Sequence, residues 1–338
     1  SDVGAMARKL LKTLAEPFPL KKRELFLSAS IGVGLYPNDG ADAETLVANV
    51  DTAMYRAKEA GRNNFQFFTA HMQAASQERA HLESGLRRAI PGQEFTIHYQ
   101  PILRIATHRV VGVEALVRWN HPERGLLGPK EFIGLAEDVG LIVTLGEWIL
   151  RRACQEAMRL QGGAFPGLCV SVNLSPRQFQ DKDLVWTVQR VLRETGLMPG
   201  YLELEITESI AMLNLGLTGE VLGEFARMGI HIAMDDFGTG HSSLNYLKHF
   251  PIHRLKVDRS FVAGMTRDDR DRSIVAAIIS MAHNLSLQVT AEGVEAAAQA
   301  ELLTALGCDD MQGFLFAPPL PEELLTERLL AVEAAALA

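Results

Sequence analysis

The chain has 338 residues, 47% of them hydrophobic and 22% charged, with a formal net charge of −8. This is an ordinary globular composition, long enough for one large domain and a smaller one. The acidic balance excludes nonspecific binding to polymeric nucleic acid, which needs a basic surface, but not a small anionic ligand held through bound cations.

Cys154, Cys169 and Cys308 are widely separated and odd in number, which suggests neither a disulfide framework nor a zinc site. No apolar run reaches the length needed to span a bilayer. A reducing, cytoplasmic setting is therefore expected, with the chain as the soluble part of a parent that can itself be membrane-anchored. No signal-peptide pattern opens the sequence. "SDVGAMARKLLKTL" reads like the middle of a domain, so the natural N-terminus is expected to be missing.

Residues 1–68 read as a small α/β unit. A helix is predicted over about 3–15 and a strand over "LFLSASIGVGLY", ending at the turn "PNDG". A second helix carries Leu46, Val50, Met54 and Ala57 on one face. "GRNN" stops it and "FQFF" follows as a short strand. Residues 69–92 read as a helical linker, with Leu82, Leu86 and Ile90 on one stripe and Pro91-Gly92 at its end.

Residues 93–332 alternate strands and helices. Strands are predicted near 95–102, 110–118, 168–175, 201–207, 230–236, 253–258, 287–293 and 309–316, and the longest helix over roughly 130–160. Only "RIATHR" separates the first two strands, so they should be antiparallel neighbours. The expected fold is α/β: a TIM-like (β/α)8 barrel with one antiparallel strand, preceded by the small α/β unit. Side chains two apart on a strand share a face. The apolar sets, such as Val170 with Val172 and Leu202 with Leu204, suit the helix-facing side. That turns His98, Gln100, Glu114, Arg118, Ser171, Asn173, Glu203, Glu205, Arg254, Lys256, Asp258, Thr290, Glu292, Asp310 and Gln312 into the barrel.

Glu114, Asn173, Glu205, Asp235 and Asp236 stand at the ends of four strand patterns. They form a hard oxygen donor set of the kind Mg²⁺ or Mn²⁺ takes. Taken singly, each reads as readily as a solvated loop acid; the set at matching positions favours a metal site. Adjacent Asp235 and Asp236 cannot both point inward on a regular strand, and the turn into "FGTG" is expected to re-aim the second. Side by side they suit a pair of ions that clamps the oxygens of a phosphoryl displacement. Lys256 either orients or deprotonates a water, or neutralises charge on phosphate oxygens; its plainer role is an ion pair with Asp258. Glu292 faces inward, and Glu295 can simply cap the next helix. Arg118 can fork onto a phosphate or form a rim salt bridge. Glu208 can tie down the glycine-interrupted loop in "DDFGTGHSSL".

The ordered motifs "EALVRW", "NLS", "EITES", "DDFGTG", "KVD", "AEGVE" and "QGF" resemble the signatures of the EAL-domain family of cyclic di-GMP phosphodiesterases. The resemblance runs through about 90–330. It implies metal-dependent opening of cyclic di-GMP to linear 5′-pGpG. Glu114, Asn173, Glu205, Asp235 and Asp236 match the metal ligands, and Lys256 matches the lysine at the catalytic water. Glu292 and Glu295 match supporting acids. Gln100, Arg118, Asp258 and Gln312 match positions around the dinucleotide, and Glu208 matches the residue that steadies the loop after strand five. Family members often dimerise through the barrel. His241 departs from the usual Tyr after "FGTG". Residues 1–68 are similar to the C-terminal part of a GGDEF domain in "SASIGVGLYPNDG" and "DTAMYRAKEAGRN", where Lys58 and Arg62 match phosphate-facing positions. The GG(D/E)EF signature is not in this chain, so no cyclase activity is expected, and upstream sensor domains would belong to the parent. Two other readings stay open: a catalytically silent cyclic di-GMP receptor, and a different metal-using barrel enzyme such as a lyase.

Overall fold

A computed structural model describes residues 2–20, 23–238 and 250–336. The chain divides into two compact units, Ser1–Gly85 and Leu86–Ala338. In the first, a helix spans Asp2–Leu14, and Phe18–Leu20 pairs antiparallel with Arg23–Leu25. Ile31–Val33 pairs in parallel with Phe65–Phe67. The helix Ala43–Glu59 lies directly on this pair, because a Cβ at Gly32 would sit 2.0 Å from the Val50 carbonyl oxygen. Asp42 opens that helix by accepting the Thr45 N–H at 2.8 Å. The run 25–36, expected as one strand, is split: Leu25 ends the pairing with Phe18, and beyond it a ladder forms only over Ile31–Val33. Its partner is just Phe65–Phe67, and Phe26 and Leu27 stay exposed outside any strand.

The second unit is a closed eight-stranded barrel. Its strands are β1 (Phe95–Arg104), β2 (Arg109–His121), β3 (Cys169–Asn173), β4 (Leu202–Thr207), β5 (His231–Phe237), β6 (Arg254–Val257), β7 (Gln288–Ala291) and β8 (Asp310–Met311). From β2 to β8 each strand pairs in parallel with the next. β1 closes the ring and runs antiparallel to both β2 and β8. The hairpin between β1 and β2 is too short for a crossover helix, which forces that reversal.

The predicted single helix over 130–160 is two helices, Pro129–Asp138 and Ile142–Gln161. Gly140 separates them at φ 80°, a backbone state in which the helix cannot continue. The apolar spacing runs on past the break, so periodicity alone does not reveal it. Strand eight pairs only over Asp310–Met311, far less than 309–316, because the chain turns away after Gln312.

The barrel is apolar outside and polar inside. Val113, Val170, Leu202, Leu204, Ile206, Leu255, Val257 and Val289 are buried against the helices. Glu114, Ser171, Glu203, Glu205, Lys256, Thr290, Asp310 and Gln312 are also buried. Their hydrogen bonds run between strands across the interior. A cluster of rings locks the first strands to the helix Pro129–Asp138. Phe132 lies 5.6 Å from Phe95 and 5.7 Å from Trp119, ring centre to ring centre. Phe132→Ala should cost about 3–5 kcal/mol of barrel stability, the usual range for a buried Phe truncation; urea unfolding of the purified variant measures it.

Candidate active site

At the C-terminal ends of the parallel strands, the interior side chains close on one ammonium. Lys256 on β6 has only 1% of its side chain exposed. Its Nζ lies 2.8 Å from Glu205 Oε2 on β4 and 2.6 Å from Glu292 Oε1, just past β7. It lies 3.6 Å from both Glu114 on β2 and Asp235 on β5. Burial works against its charge, but Asp235, Glu114, Glu205 and Glu292 outweigh burial and hold its pKa well above the ordinary lysine value. Lys256 is therefore a fixed cation.

Amides complete the ring. Gln312 Nε2 donates to Glu114 Oε2 at 2.6 Å and to Gln100 Oε1 at 3.1 Å. Gln100 Nε2 donates to the Ala317 carbonyl at 3.1 Å. Asn173 Nδ2 donates to Glu114 Oε1 at 2.8 Å. Burial pushes the Glu114 carboxyl up, but Lys256 and the bonds from Gln312 and Asn173 overcome it and keep Glu114 below the usual range. Glu205 is driven well above that range by burial and then by Glu114 beside it. Burial also pushes Glu292 up to about 8 against the pull of Lys256, with Asp235 and Glu114 adding to the rise.

Asp235 and Asp236 share a β-bulge. Met234 stands opposite Leu255 and Phe237 opposite Val257, so both aspartates face the single residue Lys256. Asp236 takes φ 53°, and its N–H donates to Asp235 Oδ1 at 2.9 Å. The re-aiming expected from the following turn thus happens inside the strand. Partial burial, then Asp235 and Asp258, raise the Asp236 pKa.

Of the remaining predicted residues, Asp258 acts on Asp236 and Arg118 feels Glu114. Asp258 Oδ1 accepts the Ser260 N–H at 3.0 Å and caps the helix Arg259–Gly264; it does not pair with Lys256. Arg118 is half-buried, and its Nη1 donates to the carbonyls of Leu116 and Val117 at 3.3 and 2.9 Å. Glu295 is exposed, and the helix after it is capped by Gln299, whose Oε1 accepts the N–H groups of Glu295 and Ala296 at 2.8 and 2.9 Å. Glu208 begins the helix Glu208–Leu213 directly after β4. Gly240, His241 and the rest of the loop assigned to Glu208 lie outside the described residues.

The chemistry of this donor set fits a hard divalent cation. Four carboxylates face one ammonium, and Glu205 Oε1 is buried with no hydrogen-bond partner. An orphaned buried carboxylate oxygen is costly unless a cation or donor meets it. Among the described residues, however, no three His, Cys, Asp or Glu side chains stand close enough together to hold an ion. In this arrangement Lys256 and Gln312 take up the inward oxygens of Glu205 and Glu114.

A cavity of about 470 Å³ adjoins Asn173 and Asp236. Lys130, Ile133 and Glu137 from the helix Pro129–Asp138 line it, with Leu116 and Ile210. Leu116 lies in the motif "EALVRW" and faces inward by strand parity; the motifs gave no sign of Lys130, Ile133 and Glu137, because helix periodicity marks a core face and not a mouth. Arg104 was also missed; it pairs with Asp310 below the ring, at the far end of β1.

The EAL domain model matches residues 83–319, and the diguanylate cyclase GGDEF domain model matches residues 1–64. The chain belongs to the EAL family. It is preceded by part of a GGDEF domain. Among curated relatives it is similar to the bifunctional diguanylate cyclase/cyclic di-GMP phosphodiesterase MucR of Pseudomonas aeruginosa, at 43% identity over 96% of this chain and 47% of the relative. It is also similar to the cyclic di-GMP phosphodiesterase PdeR of Escherichia coli, at 40% identity over 95% of this chain and 48% of that protein. The chain spans under half the length of these relatives. Among solved structures, the PaMucR phosphodiesterase in complex with c-di-GMP matches with a TM-score of 0.70 and 44% identity, covering 72% of this chain and 99% of that one. The EAL enzyme Bd1971, in its cAMP and cyclic-di-GMP bound form, matches with a TM-score of 0.72 and 32% identity, over 86% of this chain and 75% of that one.

Gly313 holds the EAL ring closed on the β8 side. A Cβ there would fall 2.1 Å from the Val294 carbonyl oxygen, a backbone atom that cannot step aside. Gly313→Ala should therefore displace the chain after β8 and break the contact between Gln312 and Glu114. A crystal structure of the variant reads that distance directly.

Proposed function

We propose that this chain hydrolyses cyclic di-GMP to linear 5′-pGpG with Mg²⁺ or Mn²⁺, two ions being expected. The observation that carries the reading is the meeting of Glu114, Glu205, Asp235 and Glu292, from separate strands, around the single cation Lys256. Glu114, Asn173, Glu205, Asp235 and Asp236 would hold the ions. When bound, such ions polarise a phosphodiester and lower the pKa of water. Relatives and structural neighbours whose names specify cyclic di-GMP phosphodiesterase or bound c-di-GMP support the same substrate.

The chain's own groups have separable tasks. Four carboxylates hold the proton on Lys256 against its burial, so it serves as a charged donor toward phosphate oxygens and not as a base. Glu292, pushed up to about 8, is suited to exchange a proton near neutral pH. Gln312 holds Glu114 and is itself tied to Gln100; both amides would line the substrate side, joined by Arg118, Asp258 and Glu295. Glu208 steadies the loop after β5. A homodimer through the barrel and upstream sensor domains are the expected partners. No diguanylate cyclase activity is expected, because the GG(D/E)EF signature is not in this chain. Among the described residues no helix is long and apolar enough to cross a membrane.

The test is conversion of cyclic di-GMP to pGpG with Mg²⁺ or Mn²⁺. Glu114→Ala should give no product, and Lys256→Met should lose about 10²–10³ in kcat, the scale of one electrostatic donor. No product from the intact protein, indistinguishable from Glu114→Ala, ends the reading; tight binding without turnover points to a receptor instead.

Metal also leaves a thermodynamic trace. Mn²⁺ at a hundred times its Kd should stabilise the fold by about 2.7 kcal/mol without any substrate. Glu205→Gln should remove most of that gain in a thermal or urea unfolding series.

A further inference from the structure

One level below the Lys256 ring lies a second polar layer, centred on Arg254. Its side chain is 12% exposed. Nε donates to Glu203 Oε2 at 2.8 Å, Nη1 to Thr290 Oγ1 at 2.8 Å and Nη2 to Gln288 Oε1 at 3.0 Å. Nη1 also meets Asp310, whose other oxygen pairs with Arg104. Ser171 Oγ donates to Glu203 Oε1 at 2.8 Å. Two guanidinium groups thus face two carboxylates, and this layer balances its own charge.

The layer has a fixed relation to the one above. Glu203 stands two residues before Glu205, Arg254 before Lys256, Thr290 before Glu292, and Asp310 before Gln312. Residues two apart share a strand face and are separated by about 6.6 Å along it. A rigid guanidinium fork bound to β4, β7 and β8 fixes their relative height and twist at this level. A lysine, a point donor on a flexible stem, lacks the planar fork that fixes those partners in one geometry.

We infer that Arg254 is a positioning residue for the Lys256 ring: by binding Glu203, Thr290 and Asp310 it sets where Glu205, Glu292 and Gln312 stand around Lys256. The inference rests on reading that ring as the hydrolytic site, but its geometry can be tested apart from turnover.

Arg254→Met alone leaves the buried Glu203 carboxylate without a cation and invites unfolding. The decisive variant is therefore neutral throughout, Arg254→Met and Arg104→Met with Glu203→Gln and Asp310→Asn. Its crystal structure is expected to show Lys256 Nζ displaced from Glu205 and Glu292, which it approaches at 2.8 and 2.6 Å in the parent chain. Mn²⁺ affinity, read from the free-ion electron paramagnetic resonance signal without substrate, should weaken about 10–100-fold. The kcat should fall by a similar factor while KM for cyclic di-GMP holds. A folded neutral variant with parental Lys256 distances and parental Mn²⁺ affinity overturns the inference and leaves the layer a structural plug. If the quadruple variant does not fold, Arg254→Lys, which keeps the charge and loses the fork, carries the same readouts with the same opposite outcomes. Failure of the intact protein to turn over cyclic di-GMP would end the hydrolytic reading only; the crystallographic distances still decide whether Arg254 positions the ring.

Discussion

Carboxylates do not gather inside a barrel unless something cationic meets them. Glu114, Glu205, Asp235 and Glu292 leave water for a low-dielectric interior, where like charges repel strongly. Among the described residues, the Lys256 ammonium is the one cation that reaches all four. Its compensation is incomplete: Glu205 keeps an oxygen without a partner, and Glu292 is pushed up to about 8. A purely structural ion cluster should look like the layer beneath, where Arg254 and Arg104 satisfy Glu203 and Asp310. The contrast between a balanced layer and an acid-rich one, two residues apart on the same strands, separates support from chemistry.

The barrel delivers this contrast through strand parity. Each parallel strand turns an apolar set toward its helices, so the alternate positions fall inside with no choice of direction. Two local irregularities then finish the site. The bulge at Asp235 and Asp236 sets two carboxylates opposite one lysine. The antiparallel β1 brings Gln100 opposite Glu114, where the Gln312 amide bridges them.

Much of this was legible in the sequence for a physical reason. Strand alternation has a period of two, so one apolar stretch such as "YLELEIT" fixes the faces of both Leu204 and Glu205. The ordered motifs then attach chemistry to those faces. What stayed hidden depends on backbone detail or distant packing. A bulge is set by the Asp236 backbone at φ 53°, and nothing in "MDDF" distinguishes it from a turn one residue later. The break at Gly140 sits inside an apolar pattern that continues across it. Asp258 was placed inside by counting, yet the strand ends at Val257 and its carboxylate caps the following helix. Arg104 pairs with Asp310 across 206 residues of chain, a distance no local pattern spans.

The two cations at the centre of the layers are not interchangeable, and their chemistry explains the order in which they stack. Arg254 is planar, permanently charged and able to bind several strands at once, which suits a layer that must not move. Lys256 carries a compact charge on a four-carbon stem. Its ammonium makes close contacts with Glu205 and Glu292 and longer ones with Glu114 and Asp235. A guanidinium at that height would lock the carboxylates in pairs and occupy the oxygens a divalent ion needs. A fork that ties strands together below and a point charge among acids above leave the lower carboxylates satisfied and the upper layer with an open oxygen on Glu205.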